Sequence, residues 1–214
     1  MSEMDDDAGS QDAGETNQQQ WVSLGVEHPV WDRFFQVAPL VVIGTRESSG
    51  GYDLAPKHMA MPMGWENHFG FVCTPRHNTY GNARREGCFT VSYPRPSQVI
   101  LASLAAAPRC EGDEKVSLEM VQTHPATVVD GVLLTDAYLC LECETDRIVD
   151  DFGENSLITG RVVEAHVSED AIRRSDKDDG ALIAKAPLLA YVSPGRYTEL
   201  SRTFAFPFHR GWSR

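Results

Sequence analysis

The chain has 214 residues, 42% of them hydrophobic, and a formal net charge of −12, which allows one well-buried core and makes a single domain the default. An acid-rich chain lacks the cations that nonspecific nucleic-acid binding needs to neutralise phosphates, so that class is set aside. The longest apolar stretch, residues 99–107, is far short of the roughly 20 residues a membrane span requires, so no membrane partner is expected.

The charge is unevenly placed. Residues 1–20 carry Glu3, Asp5, Asp6, Asp7, Asp12 and Glu15 but no Lys or Arg. Such a segment cannot bury enough apolar surface to offset its ordering entropy, which predicts a disordered acidic tail over 1–20 and one domain over 21–214. The start lacks the basic and then apolar pattern of a signal peptide, so the cytoplasm is the expected compartment. Five cysteines, an odd number, do not suggest a disulfide framework.

Trp31, Phe34 and Phe35 share one face if residues 28–37 are helical, and Pro39 would end that helix. The β-branched run Val41-Val42-Ile43 predicts a buried strand. Ser48-Ser49-Gly50-Gly51 is a turn signal, so residues 52–56 close a hairpin. Met59, Met61 and Met63 alternate and would share a face of an extended segment; they would either lie along a flat ring or fill a gap in the core.

Residues 69–74 form an apolar strand, and beyond Pro75 a short helix is predicted. Asn78 or Thr79 would cap its start with a side-chain oxygen, and Gly87 suits the left-handed position after its last turn. Unpaired N–H groups and the helix dipole make that start an anion site, with Arg76 beside it and Thr79 and Asn82 one turn apart. On these residues alone, a capped surface helix between two strands is the preferred reading, ahead of the anion site.

A strand over 88–94 leads to a helix over 96–107, with Pro96 near its start and Pro108 stopping it. Residues 109–135 read as loop-rich, and strands return at 137–150 and 156–168. Cys140 and Cys143 form a C-x-x-C, but side chains three apart on a strand point to opposite faces. No second Cys or His pair stands at zinc-like spacing, so no metal is expected. Residues 170–186 are charged and predicted helical, and 188–200 form a last strand. Phe204, Phe206, Phe208 and Trp212 make an aromatic tail, expected to pack on its own domain or on a partner subunit.

The ordered set Leu54-Ala55-Pro56, Thr79-Tyr80-Gly81-Asn82 and Gly87-Cys88-Phe89-Thr90-Val91 resembles the pattern of the flavin reductase-like family. Gly153-Glu154-Asn155, Gly160-Arg161-Val162-Val163, Pro187-Leu188-Leu189, Tyr191 and Gly195-Arg196-Tyr197 extend the likeness over roughly residues 30 to 200. The resemblance implies a mainly β fold: the FMN-binding split β-barrel, a Greek-key antiparallel barrel with a few peripheral helices. It also implies an NAD(P)H-dependent FMN oxidoreductase, with FMN and NADH or NADPH as cofactor and co-substrate. The expected assembly is a homodimer with the flavin at or near the interface, and a monooxygenase is the expected kind of partner protein.

By the same resemblance, Arg76, Thr79, Asn82 and Lys57 would meet the phosphate. The ring would rest on Ala55, Pro56, Lys57, His58 and Met59 and on Cys73 and Thr74. Tyr191, Tyr197 or Phe206 would complete the pocket from either subunit. Three positions depart from the family pattern: Asp53 stands where Asn is frequent, Lys57-His58 where a small hydroxyl residue usually follows the Pro, and Asn155 where His is frequent. Hydride transfer between nicotinamide and flavin demands placement and water exclusion rather than an acid or base, and His58 is the sole titratable candidate. The chain lacks G-x-G-x-x-G, which argues against a dinucleotide-binding Rossmann domain. A flavoprotein that passes electrons from tightly bound FMN and a non-catalytic split-barrel binding module stay open as alternatives.

Overall fold

The computed structural model describes residues 20–110, 115–174, 179–209 and 211. The predicted disordered tail therefore lies, up to residue 19, outside the described residues. Residues 20–30 fall in a unit of their own and hold bends but no helix or strand. The second unit begins at Trp31. Its strands and helices are β1 (Gln36–Pro39), β2 (Val41–Arg46), β3 (Tyr52–Lys57), β4 (Ala60–Pro62), β5 (His68–Cys73), α1 (Asn78–Glu86), β6 (Cys88–Tyr93) and α2 (Val99–Leu104). They continue through β7 (Thr123–Pro125), β8 (Val132–Leu134), β9 (Leu139–Phe152), β10 (Asn155–Val167), α3 (Asp179–Lys185), β11 (Leu188–Ser193) and β12 (Arg196–Leu200).

The frame is a seven-stranded antiparallel sheet in the order β3-β2-β6-β9-β10-β5-β4. A three-stranded sheet, β1-β11-β12, and the β7-β8 pair complete the β structure. The fold is thus mainly β, as the sequence predicts. Among the described residues no helix is long and apolar enough to cross a membrane.

β2 shows how the sequence drives the layering. Alternate side chains of a strand point to opposite faces. Val41 and Ile43 enter one core with Phe69, Phe71, Phe89 and Ile158. Val42 enters a second core with Leu54, Ala102, Ala105 and Leu134. A strand buried on both faces reads as a continuous apolar run, and this one does. In the first core the Phe71 and Phe89 rings meet edge to face, with centroids 5.1 Å apart, a favoured geometry for aromatic pairs. Gly160 is needed beside them, because a Cβ there would sit 2.7 Å from the Phe89 ring.

α1 seals that core with Tyr80 and Ala83. It ends as predicted, with Gly87 left-handed at φ 68° and its N–H on the Ala83 carbonyl. Residues 96–104 begin as a 3-10 turn at Pro96–Gln98 and continue into α2.

Three sequence expectations need correction. Residues 28–37 are not helical: 31–34 make turns, and Gln36–Pro39 is a strand paired with β11. Residues 188–200 are not one strand but the β11-β12 hairpin, which turns at Pro194-Gly195 with Gly195 at φ 68°. In the predicted helix over 170–186 the described helical part is Asp179–Lys185, and 175–178 lie outside the described residues. The aromatic tail does not bury itself on its own domain: Phe204, Phe206 and Phe208 are 81%, 71% and 50% exposed. Trp212 lies outside the described residues.

Candidate functional site

The site is assembled where α1 begins beside β3. His77, not Asn78 or Thr79, is the residue that precedes the helix, with extended backbone and no side-chain cap hydrogen bond. The expected cap is absent because the Thr79 hydroxyl is engaged elsewhere, donating to Asp53 Oδ2 at 3.0 Å. No acidic residue sits in the first turn. The first backbone N–H groups of a helix have no intrahelical partner, and the dipole makes that end positive. Nothing in the helix's own first turn offsets that charge.

A cavity of about 300 Å³ opens at this point. β3 lines it with Asp53, Ala55, Pro56 and Lys57, and the start of α1 lines it with Arg76, His77, Asn78 and Thr79. The chain after α2 closes the third side with residues 105–108, Arg109 and Lys115. Asp53, 2% exposed, is the hub of this corner. Its Oδ1 accepts from Arg109 at 2.9 Å and pairs with Lys115 Nζ at 2.7 Å, while Oδ2 takes the Thr79 hydroxyl. Lys115 also donates to the carbonyls of Leu54 and Ala105, at 2.9 and 3.1 Å. Arg109 contacts Glu47 as well.

Charge around the cavity is predominantly positive. Among the described residues no carboxylate pairs with Lys57, which is half-buried. Arg76 is exposed and bridges to Glu154 at 2.8 Å. Burial pushes the His77 imidazole below its ordinary pKa, and the positive charges of Lys57, Lys115 and Arg76 push it further, against a smaller opposing effect of Asp53. The histidine therefore senses a field that favours anions.

Of the residues the resemblance nominated, Ala55, Pro56, Lys57, Arg76 and Thr79 come together around this cavity. His58 lies just beyond it, with its ring 4.6 Å from that of Tyr191. Burial, and then Lys57, lower its pKa. The Tyr191 hydroxyl accepts from the Gly195 N–H at 2.8 Å. Met59 and Met61 share an exposed side of the β4 edge, with buried Ala60 between them. Cys73 is buried and its thiol pKa is raised by that burial, with Lys57 acting against it. Thr74 Oγ1 is buried with no hydrogen-bond partner, an unusual condition among the described residues.

Asn82 is placed differently. It is 3% exposed, donates to Thr45 Oγ1 at 3.2 Å and accepts from Arg85 at 3.0 Å, so it fastens α1 to β2. Tyr197 and Phe206 are exposed and do not line the cavity. Sequence reasoning missed Arg109, Lys115 and the wall at 105–108. No local pattern marks them, because Arg109 reaches Asp53 from 56 residues away.

A second buried carboxylate lies outside the lining of this cavity. Glu142 on β9 is fully buried. Its oxygens accept from the N–H groups of Thr127, Val128 and Val129 at 2.8, 2.7 and 3.0 Å. The Thr127 hydroxyl and His166 Nε2 add contacts at 2.8 and 3.0 Å. Burial alone would raise the carboxyl pKa, but the three amides and His166 outweigh it and bring it down to about 2.

Comparison with family models matches residues 36–201 to the flavin reductase like domain. Comparison with curated proteins finds no match. Among solved structures, nitrilotriacetate monooxygenase component B from Bacillus cereus is similar at TM-score 0.74 and 17% identity, covering 88% of this chain and 100% of that one. Flavoredoxin from Methanosarcina acetivorans is similar at TM-score 0.72 and 15% identity, covering 90% and 98%. An FMN-binding protein from Thermus thermophilus, with bound 1-cyclohex-2-enone, is similar at TM-score 0.68 and 19% identity, covering 87% and 99%. At these identities the likeness establishes the fold, the split barrel.

Proposed function

Since the chain belongs to the flavin reductase-like family, we propose that it is an NAD(P)H-dependent flavin reductase that binds FMN with its phosphate in the cavity at the start of α1. The observation that carries the phosphate assignment is Lys57, a half-buried cation on that cavity with no carboxylate partner among the described residues. The helix start supplies N–H groups, and Arg76 supplies a second cation that must share itself with Glu154. The orphaned Thr74 hydroxyl, at the end of β5, fits a hydrogen bond to the ring, and the backbone of 55–59 would support the ring's flat side.

Bound there, the flavin supplies the hydride-accepting chemistry. The chain's own task is to hold the ring, orient the nicotinamide against it and exclude water. His58, whose ring packs at a tilt against Tyr191 and whose pKa is lowered by burial and then by Lys57, is a ring wall in this reading rather than an acid.

The active form is a homodimer. The unburied Met59, Met61, Tyr197, Leu200 and Phe206 support this, because so much exposed apolar surface marks an interaction site. Tyr197 and Phe206 would then meet the flavin of the partner subunit. Likeness to the component B of a two-component monooxygenase supports a monooxygenase as the consumer of reduced flavin. Five free cysteines suit the reducing cytoplasm.

The test is steady-state oxidation of NADH and of NADPH by purified protein, with and without added FMN. Oxidation that rises with FMN and saturates is the expected result. No oxidation of either nucleotide at any flavin concentration would refute the activity.

A further inference from the structure

The fold gathers four cations around the cavity and then discharges most of them. Arg109 and Lys115 spend their charge on Asp53, with Glu47 sharing the same Arg109 nitrogen, and Arg76 spends its charge on Glu154. Lys115 has all three of its N–H bonds directed at Asp53 and the carbonyls of Leu54 and Ala105, so it offers a ligand charge but no hydrogen bond. Asp53 is the one carboxylate in the lining, and it is buried. A fixed negative charge inside an anion site repels the ligand directly and neutralises the groups that would attract it. We infer that Asp53 sets the affinity of this cavity for a phosphate ester downward, so that the phosphorylated flavin exchanges between turnovers instead of being retained. The inference rests on the assignment of the flavin phosphate to this cavity.

Asp53 is thus an affinity-setting residue that acts partly through Arg109 and Lys115. Asn is the informative replacement. It keeps the shape, its carbonyl oxygen still accepts from the two cations, and its amide can donate to the Thr79 hydroxyl, which then serves as acceptor. Only the charge is lost.

In Asp53→Asn the dissociation constant for FMN should fall about tenfold and FMN release should slow correspondingly, because an opposing unit charge has been removed from a partly dry site. Riboflavin, which has no phosphate, should change less than about twofold, and the salt dependence of FMN binding should steepen. Stability should drop at the same time, since Lys115 loses its carboxylate partner and Arg109 one of two, both cations being partly buried. A purely structural Asp53 predicts the opposite pairing: lower stability and weaker binding of both flavins. Glu47→Gln removes a carboxylate from Arg109 outside the lining and should shift the FMN-to-riboflavin ratio the same way by a smaller factor. It carries the test if Asp53→Asn does not fold.

An unchanged or lower ratio in the variant that folds overturns the inference. Equal affinity of the unaltered protein for FMN and riboflavin instead overturns the phosphate assignment beneath it.

Discussion

Asp53 and Glu142 are both buried carboxylates on strands of the same sheet, yet their surroundings are opposite. Glu142 is answered by three backbone amides, a hydroxyl and an imidazole, which together clasp the 127–129 loop to β9. Asp53 is answered by two side-chain cations, Arg109 and Lys115, and by the Thr79 hydroxyl, and it lines a cavity. Burial alone does not distinguish a binding residue from a structural one. The distinction lies in what pairs with the group and in whether it lines the cavity at the start of α1. Amides already bonded to a buried carboxylate are not available to a ligand; cations that line a cavity still act on one through their charge.

The largest effect expected from this contrast is on stability. Glu142→Ala should lower the unfolding free energy by about 3 kcal/mol, measured by chemical denaturation, because the amides of 127–129 lose their acceptor. Its FMN-to-riboflavin ratio should not move; a ratio that shifts several-fold would erase the distinction between the two carboxylates. The pH dependence follows from the same pairing. With its folded pKa held down to about 2 and an unfolded value near 4.3, Glu142 contributes its full stability above about pH 4.3. That contribution is lost as pH falls through the interval toward 2. Glu142→Gln should flatten the acid limb of the stability profile, and an unaltered limb would assign it to other carboxylates.

Binding effects come next. Lys57→Ala should weaken FMN about tenfold to thirtyfold, roughly 1.4–2 kcal/mol, and leave riboflavin within about twofold, as measured by fluorescence titration. Thr79→Ala removes a buried hydroxyl from Asp53 and should cost about 1 kcal/mol of stability. Because Thr79 also lines the cavity, the variant should weaken FMN more than riboflavin; loss confined to stability would make Thr79 a support for Asp53 alone. Arg76→Ala should have the smallest effect, about threefold on FMN and fading with added salt, because its guanidinium is exposed and already paired. A loss as large as that of Lys57→Ala would mean that Arg76 leaves Glu154 to become the principal phosphate ligand.

Much of this architecture is legible in the chain. The Val41-Val42-Ile43 run, the Ser48–Gly51 turn, the Cys88–Val91 strand and Gly87 after the short helix each carry a local cause. The first element does not. Trp31, Phe34 and Phe35 stand at helical spacing, but Gln36–Pro39 pairs with β11, whose residues lie about 150 positions away, and that pairing overrides the local pattern. The β11-β12 turn was marked by Pro194-Gly195, a turn signal in itself, which the surrounding β-rich run masks. The cavity is half legible. Lys57, Arg76 and Thr79 belong to one stretch around α1, whereas Arg109 and Lys115 follow a helix-stopping proline in a segment with no periodicity. Their place is fixed by Asp53 together with Glu47 and the carbonyls of Leu54 and Ala105, and ion pairs between distant residues leave no trace in local sequence. Asn82 shows the reverse: its spacing from Thr79 suggests a ligand contact, but its amide is consumed by Thr45 and Arg85.

The central claim, that the start of α1 with Lys57 grips an anionic cofactor end, is tested most directly by titrating the unaltered protein with FMN and with riboflavin at low and high ionic strength. FMN should bind more than about tenfold tighter at low salt, with the gap narrowing as salt rises and the riboflavin affinity hardly changing. Equal affinities at low salt, or a preference that salt leaves untouched, would contradict the account.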